Sequence, residues 1–280
     1  MKIAIYGQTL QADTLVKIFS RYGHHVHWCC DDVKDVSHDL DCYIFCYAPS
    51  EKEKAYKIVN QLVNHHAEGQ LMINGSTFGL HGTAELQAIL PNDHWAYLPD
   101  TIQEGNAIGS FVNAKQAIVG LETDDAKVLI KELLRPMFPL DHQILFMPIL
   151  DAEFAKLSIS GMLATRISYM NDLANVAEKL GVDILNVKQG MAADSRIGST
   201  YLSPGVGFGG ENFSQDILTL SSEVSKTGTK SRLLEQVWSI NEDQKEILFR
   251  KLWNYYQTDL KGKKIAIWGA TFKENTASTH

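Results

Sequence analysis

The sequence predicts an α/β fold: an N-terminal Rossmann-like, doubly wound parallel sheet, followed by an all-helical domain with a long central helix. Three observations carry the prediction. Over residues 1–148, short apolar runs alternate with helix-period segments at βαβ intervals. From Asp151 onward, apolar residues recur at helical spacing with no break until Gly181. Near Leu260 a strand-like run followed by a glycine turn begins again.

Taken in order, Lys2–Tyr6 is a short apolar strand that ends at Gly7, and Asp13–Tyr22 is an amphipathic helix. Apolar runs at His25–Cys30, Cys42–Tyr47, Leu71–Asn74, Trp95–Leu98, Gln116–Gly120 and Gln143–Met147 continue the strand series. Glu51–Asn64 and Asp125–Leu134 read as helices between them. The long helix presents Phe154, Leu157, Met162, Leu163, Ile167, Met170, Leu173, Val176 and Leu180, and it stops at a glycine. Helical patterns follow at Ile184–Ala192, Phe213–Thr227 and Ser231–Tyr256. The expected boundaries are a first domain at 1–148, a helical domain at 149–258, and the start of a third domain at 259–280.

Composition narrows the function classes. The chain has 280 residues and 45% apolar content, enough to bury two cores. A net charge of -7 with no long charged run speaks against nucleic acid or an anionic membrane as the main partner. No apolar run approaches the ~20 residues that span a bilayer, and MKIAIYGQ has no signal-peptide core. The expectation is a cytoplasmic protein. The four cysteines, Cys29, Cys30, Cys42 and Cys46, lie in two strand-like runs and read as reduced, buried thiols. Zinc-type spacings are absent, so no metal site is expected.

The turn after the first strand is Gly7-Gln8-Thr9-Leu10-Gln11-Ala12. A dinucleotide fingerprint places a glycine at the turn, a second where the pyrophosphate approaches bare backbone, and a third where helix and strand pack closely. Gly7 and Ala12 satisfy the outer positions. Thr9 sets a Cβ and a hydroxyl where the phosphate should come near.

Further along, Asp194-Ser195-Arg196-Ile197-Gly198 leads into Pro204-Gly205-Val206-Gly207-Phe208-Gly209-Gly210, and both are preceded by Ala152-Glu153-x-x-Lys156. Asn241-Glu242-x-Gln244 follows. Together these resemble the D-x-R-I-G, P-G-x-G-F-G-G and A-E-x-x-K elements of the UDP-glucose/GDP-mannose dehydrogenase family. The resemblance is strongest over residues 150–275. In the first domain it rests on strand order, Ser76-Thr77, and Pro99 with Glu104-Gly105. It implies NAD as cofactor, a nucleotide-linked sugar as ligand, and a homodimer formed through the long helix. It also implies a third, UDP-binding-type domain, of which only the opening is present, so that domain is expected to be truncated.

Carried over residue by residue, the cofactor-binding set is Gly7, Thr9, Ala12, Asp31, Pro49, Ser76 and Glu104. The family's ribose-binding acid falls on Cys30, with Asp31 one residue late, and its Thr-Pro pair reads Ala48-Pro49. These departures, with Thr9, predict weakened NAD binding. The catalytic set is Thr77, Asp100, Lys156, Ser160, Asn212 and Asp216. Asp100 stands where the resemblance implies a glutamate in a general-base or water-positioning role, and a loop or cap carboxylate is the alternative. Lys156 and Ser160 share a helix face at (i, i+4) spacing, where relatives pair Lys with Asn to cradle a reacting hydroxyl; a snorkelling surface lysine is the other reading of Lys156. The substrate-binding set is Arg196, Tyr201, Phe208, Gly209 and Gly210.

Asn212 occupies the family's nucleophilic cysteine position, and Gln215 replaces its lysine. The family captures an aldehyde as a thiohemiacetal and later hydrolyses a thioester. An amide cannot act so, because its nitrogen lone pair is delocalised. Loss of a covalent nucleophile costs on the order of 10^6 in turnover in well-studied hydrolases. Two functions follow as expectations: a catalytically lapsed homologue that acts by binding or oligomerisation, or an NAD-dependent oxidoreductase with a reduced, two-electron task on a UDP-sugar.

Overall fold

The computed structural model describes residues 1–31, 33, 40–230, 232–271, 273–277 and 279. It divides into two compact units, Met1–Lys156 and Leu157–His280.

The first unit is a seven-stranded sheet. Its strands are β1 (Lys2–Tyr6), β2 (His25–Cys30), β3 (Cys42–Phe45), β4 (Leu71–Asn74), β5 (His94–Tyr97), β6 (Ala117–Leu121) and β7 (Ile144–Met147), in the order β2-β1-β3-β4-β5-β6-β7. All neighbours are parallel except β5 and β6, which run antiparallel. The doubly wound sheet expected from the alternating pattern is present, with this one reversal. The helices are α1 (Leu10–Arg21), α2 (Lys52–Leu62), α3 (Gly82–Gln87), α4 (Ala107–Val112) and α5 (Asp124–Leu134). The short helices α3 and α4 carry too few turns to show a periodicity in sequence.

Strands β3 and β4 are buried along their whole length, and β1 along all but Lys2, as continuous apolar runs in a two-sided sheet should be. Alternate residues serve opposite faces. Ile3, Ile5, Ile44 and Ile73 pack with Leu15, Ile18 and Phe19 of α1 and with Ile130, Leu133 and Leu134 of α5. Ala4, Tyr6, Tyr43, Phe45 and Met72 pack with Ala55, Ile58, Val59 and Leu62 of α2 and with Leu86 of α3. On that second face Phe45 stacks on Tyr6 at 5.7 Å and on Trp95 at 6.0 Å between ring centroids.

The long helix α6 (Ile149–Leu180) runs 32 residues and ends at Gly181, whose φ of +67° is a left-handed conformation glycine adopts without a Cβ penalty. The second unit continues with α7 (Ile184–Ala193), α8 (Glu211–Lys226), α9 (Arg232–Lys245) and α10 (Ile247–Tyr255). The expected single helix over Ser231–Tyr256 is thus two, parted at Glu246, and Ser231 lies outside the described residues. The core of this unit gathers Ala164, Phe208, Ile217 and Val237, with Ile167, Phe213 and Trp238 against them.

The strand read at the start of a third domain is a correction. Among the described residues after Tyr256 there is none, and Ile267 and Trp268 stand almost fully exposed. An isolated strand leaves its N–H and C=O groups without a ladder and its side chains without a facing surface. Phe272, Ser278 and His280 of that segment lie outside the described residues. Among the described residues, no helix is long and apolar enough to cross a membrane.

Candidate functional site

The strand order β2-β1-β3 reverses at β1, and in open α/β sheets ligands bind outside the carboxyl ends of the strands at such a point. Here that region is laced by the chain's own groups. The Gly7 N–H donates to the Cys30 carbonyl at 2.8 Å, and the Trp28 indole N–H donates to the Gly7 carbonyl at 2.9 Å. Gly7 sits at φ +101°, and a Cβ there would stand 1.9 Å from the Cys46 carbonyl oxygen, so the β1–α1 turn lies directly on the end of β3. Thr9 is the N-cap of α1: its hydroxyl accepts from the Ala12 N–H at 3.2 Å and donates to the Cys46 carbonyl at 3.1 Å.

The other cofactor candidates lie on the same rim. Cys30, at the family's acid position, takes a left-handed φ of +50° where β2 shifts register against β1. Asp31 is exposed and accepts a hydrogen bond from the Tyr47 hydroxyl, whose proton is held more tightly than usual by burial and then by that carboxylate. The same hydroxyl reaches the Cys30 carbonyl at 3.4 Å. Pro49 opens a single 3-10 turn after Ala48. An NAD site requires bare backbone at the second fingerprint position and an acid turned to the ribose. Among the described residues the set does not fit that requirement: Thr9 fills the second fingerprint position and Asp31 faces Tyr47.

The loop after β4 is held from below. Ser76 is buried; its hydroxyl donates to the Phe45 carbonyl at 3.2 Å and accepts from the Tyr47 N–H at 2.8 Å. Asn74 accepts from the Ser76 N–H and donates to the Thr83 hydroxyl, both at 2.9 Å. Glu153, on the first turns of α6, is 3% exposed, and its carboxylate accepts from the His81 N–H at 2.7 Å and the Thr83 N–H at 2.8 Å. It thereby satisfies donors at the start of α3 that the helix cannot. Thr77 is half-buried beside this network. Asp100 accepts from the Ile102 N–H at 3.1 Å, a loop-capping contact, and Glu104 and Lys156 are half-buried.

In the helical unit, the glycine-rich loop is fastened by side-chain amides. Asn241 is fully buried; its Oδ1 accepts from the Phe208 N–H at 2.7 Å and its Nδ2 donates to the Phe208 carbonyl at 3.1 Å. Asn171 accepts from the Gly205 N–H at 2.8 Å, and Gln244 donates to the Gly205 carbonyl at 2.7 Å. Asn175 donates to Gln244 in turn. Gly207, at φ +97°, leaves room for Asn241, whose Oδ1 would lie 2.9 Å from an added Cβ. The loop's backbone is thus bonded at Gly205 and Phe208. Phe208 belongs to the core, edge-on to Phe213 at 5.3 Å, while Gly209 and Gly210 are half-buried.

Arg196 is largely exposed and folds back in a forked pair on Asp194, with its Nη2 2.6 Å from Oδ2. Tyr201 is exposed at φ +57°. Asn212 and Gln215 are exposed in the first turns of α8, which begins two residues before the expected start. Two expected residues from distant parts of the chain are brought together: Ser160 of α6 and Asp216 of α8, both buried, with the Ser160 hydroxyl donating to Oδ2 at 2.7 Å. Sequence reasoning did not assign roles to Glu153, Asn171, Asn241 or Gln244. Three of them stood inside quoted sequence elements, but nothing in the sequence shows which backbone groups they bind.

All four cysteines are free; Cys42 and Cys46 are buried, whereas Cys29 and Cys30 are only half-buried. Burial, and next the nearby Asp100, hold the Cys46 thiol well above its ordinary range, so it is an inert thiol. Among the described residues no group of three His, Cys, Asp or Glu side chains is placed to hold a metal ion.

Residues 150–243 match the model of the UDP-glucose/GDP-mannose dehydrogenase family, central domain. The UDP-glucose 6-dehydrogenase of Rickettsia bellii is 33% identical over 178 residues, covering 64% of this chain and 41% of that protein. The chain thus spans about two fifths of the length of the relatives it matches. Among solved structures, a UDP-glucose dehydrogenase from the hyperthermophilic archaeon Pyrobaculum islandicum aligns with a TM-score of 0.78 at 18% identity, over 91% of this chain and 71% of that one. The UDP-N-acetyl-mannosamine dehydrogenase of Staphylococcus aureus aligns with a TM-score of 0.79 at 13% identity, over 100% and 76%. At such identities the likeness establishes the fold.

Proposed function

We propose that this chain, whose residues 150–243 match the central domain of the UDP-glucose/GDP-mannose dehydrogenase family, is a catalytically lapsed member of it acting by binding or self-association. One observation carries the reading: the side chain presented at the start of α8, after the glycine-rich loop, is Asn212, an amide. A carbonyl carbon cannot be captured covalently by that group. No cysteine follows Cys46 in the sequence, and the Cys46 thiol is buried and inert. The neighbouring polar groups are also committed, since the Ser160 hydroxyl is spent on Asp216. What persists is scaffold: a glycine-rich loop pinned by amides, and Arg196 fixed by Asp194 at the loop's entry.

Self-association has its own support. On α6, Met162, Tyr169 and Val176 are exposed at 63%, 53% and 47%, spaced seven residues apart along one stripe. Apolar side chains at that spacing form a seam two helices can share. Homodimerisation through α6 is the form of association we propose.

Two measurements test the reading. The purified chain, incubated with UDP-glucose and NAD, is expected to give no NADH absorbance and no uronate; steady turnover would refute the lapse. Sedimentation is expected to give a dimer that Met162→Glu with Val176→Glu dissociates; a dimer untouched by both changes would refute α6 as the interface.

A further inference from the structure

We infer that Thr9 is a staple that closes the dinucleotide crevice, so that this chain has lost cofactor binding by hydrogen-bonding the mouth of its own sheet shut. The proposal deepens the lapsed reading but rests on a different part of the chain from Asn212. The Thr9 hydroxyl makes two contacts at once. It takes up the Ala12 N–H, one of the donors at the start of α1 that a phosphate oxygen would otherwise use. It also gives its single proton to the Cys46 carbonyl at the end of β3. The hydroxyl therefore ties α1 to β3 across the gap where the strand order reverses.

The surroundings reinforce the closure. Gly7 lies against the Cys46 carbonyl so closely that no side-chain carbon would fit between them. Gln11 is 4% exposed, and its amide and the Cys46 sulfur both come within about 3 Å of where a Cβ on Gly75 would stand, at the end of β4. On the other side, Trp28 and Tyr47 bond to Gly7 and Cys30 respectively, joining the ends of β2, β1 and β3. Asp31, one residue past the ribose-acid position, accepts from Tyr47. A pyrophosphate entering here would have to break the Thr9 bonds and meet a methyl group beside them.

The test is NAD binding by calorimetry, without any sugar, so that it reads the crevice and not turnover. The wild-type chain is expected to show no saturable heat at millimolar NAD. Thr9→Gly restores the bare backbone while keeping a residue tolerated at an N-cap, and with Cys30→Asp it is expected to tighten NAD binding by about tenfold or more. Thr9→Ser keeps the hydroxyl and is expected to behave as wild type. Hydrogen exchange at the Ala12 N–H gives a readout without ligand: slow in wild type and Thr9→Ser, fast in Thr9→Gly. Micromolar NAD binding by the wild type would overturn the proposal. So would Thr9→Gly with Cys30→Asp binding no better than wild type, or Thr9→Ser gaining as much as they do.

Discussion

The Ser160 hydroxyl of α6 donates a 2.7 Å hydrogen bond to the Asp216 carboxylate of α8, and both side chains are buried. The resemblance assigns an asparagine and an aspartate to these positions as catalytic groups. With serine in place of asparagine, the pair is a short interhelical strut. A buried carboxylate that loses one of its donors keeps its desolvation cost while part of the compensation is gone. Ser160→Ala is expected to destabilise the chain by about 2 kcal/mol, seen as a lower denaturant midpoint at unchanged slope.

Glu153 holds the start of α3 through two backbone N–H groups while almost wholly buried. Glu153→Gln replaces one acceptor oxygen by an NH2 that faces an N–H donor. The expected cost is about 1–3 kcal/mol, accompanied by faster hydrogen exchange at His81 or Thr83. Unchanged exchange at both positions would mean that the carboxylate does not organise this loop.

Asn241 clamps Phe208 by both its amide oxygen and its amide nitrogen. Asn241→Asp keeps the acceptor and loses the donor, so the Phe208 carbonyl is left facing a carboxylate oxygen. Protease cleavage within residues 203–210 is expected to accelerate in this variant and more so in Asn241→Ala. Equal cleavage rates in wild type and Asn241→Ala would remove the clamp from the account.

Asp194 is held below the ordinary carboxylate range by the side-chain hydrogen bond from Arg196 and then by the Arg196 backbone N–H. A folded-state pKa below the unfolded one gives a stabilising contribution that is present above the unfolded value and is lost as pH falls through the folded value. Arg196 is largely exposed and Asp194 partly so, and solvent screening confines the effect to this turn. A carbon-13 titration of the Asp194 carboxyl is expected to move upward in Arg196→Ala; an unmoved midpoint would show that the pair does not form in solution.

Much of the fold was legible because burial on both sheet faces writes itself as short apolar runs, and Lys2–Tyr6 followed by Gly7 is plain on the page. The reversal of β6 was not, since a strand's residues do not state its direction. The start of α8 was missed because its N-cap is Gly210, at φ +90°, which offers no side-chain capping signal. Candidate site residues could be named from the resemblance, yet their bonding could not. Ser160 and Asp216 are 56 residues apart, and only packing of α6 on α8 decides that they meet. The tail from Leu260 read as a strand because local pattern cannot report whether a neighbouring strand exists.

Under the lapsed reading we propose, no group of this chain performs the covalent capture step, and the fate of one carbon decides the matter. UDP-glucose labelled with carbon-13 at C6, incubated with NAD and the purified chain, can be followed directly by NMR. The expected result is an unchanged hydroxymethyl signal over prolonged incubation. A carboxyl signal growing at C6 would contradict it and would return Asn212 to an active site that works by other means.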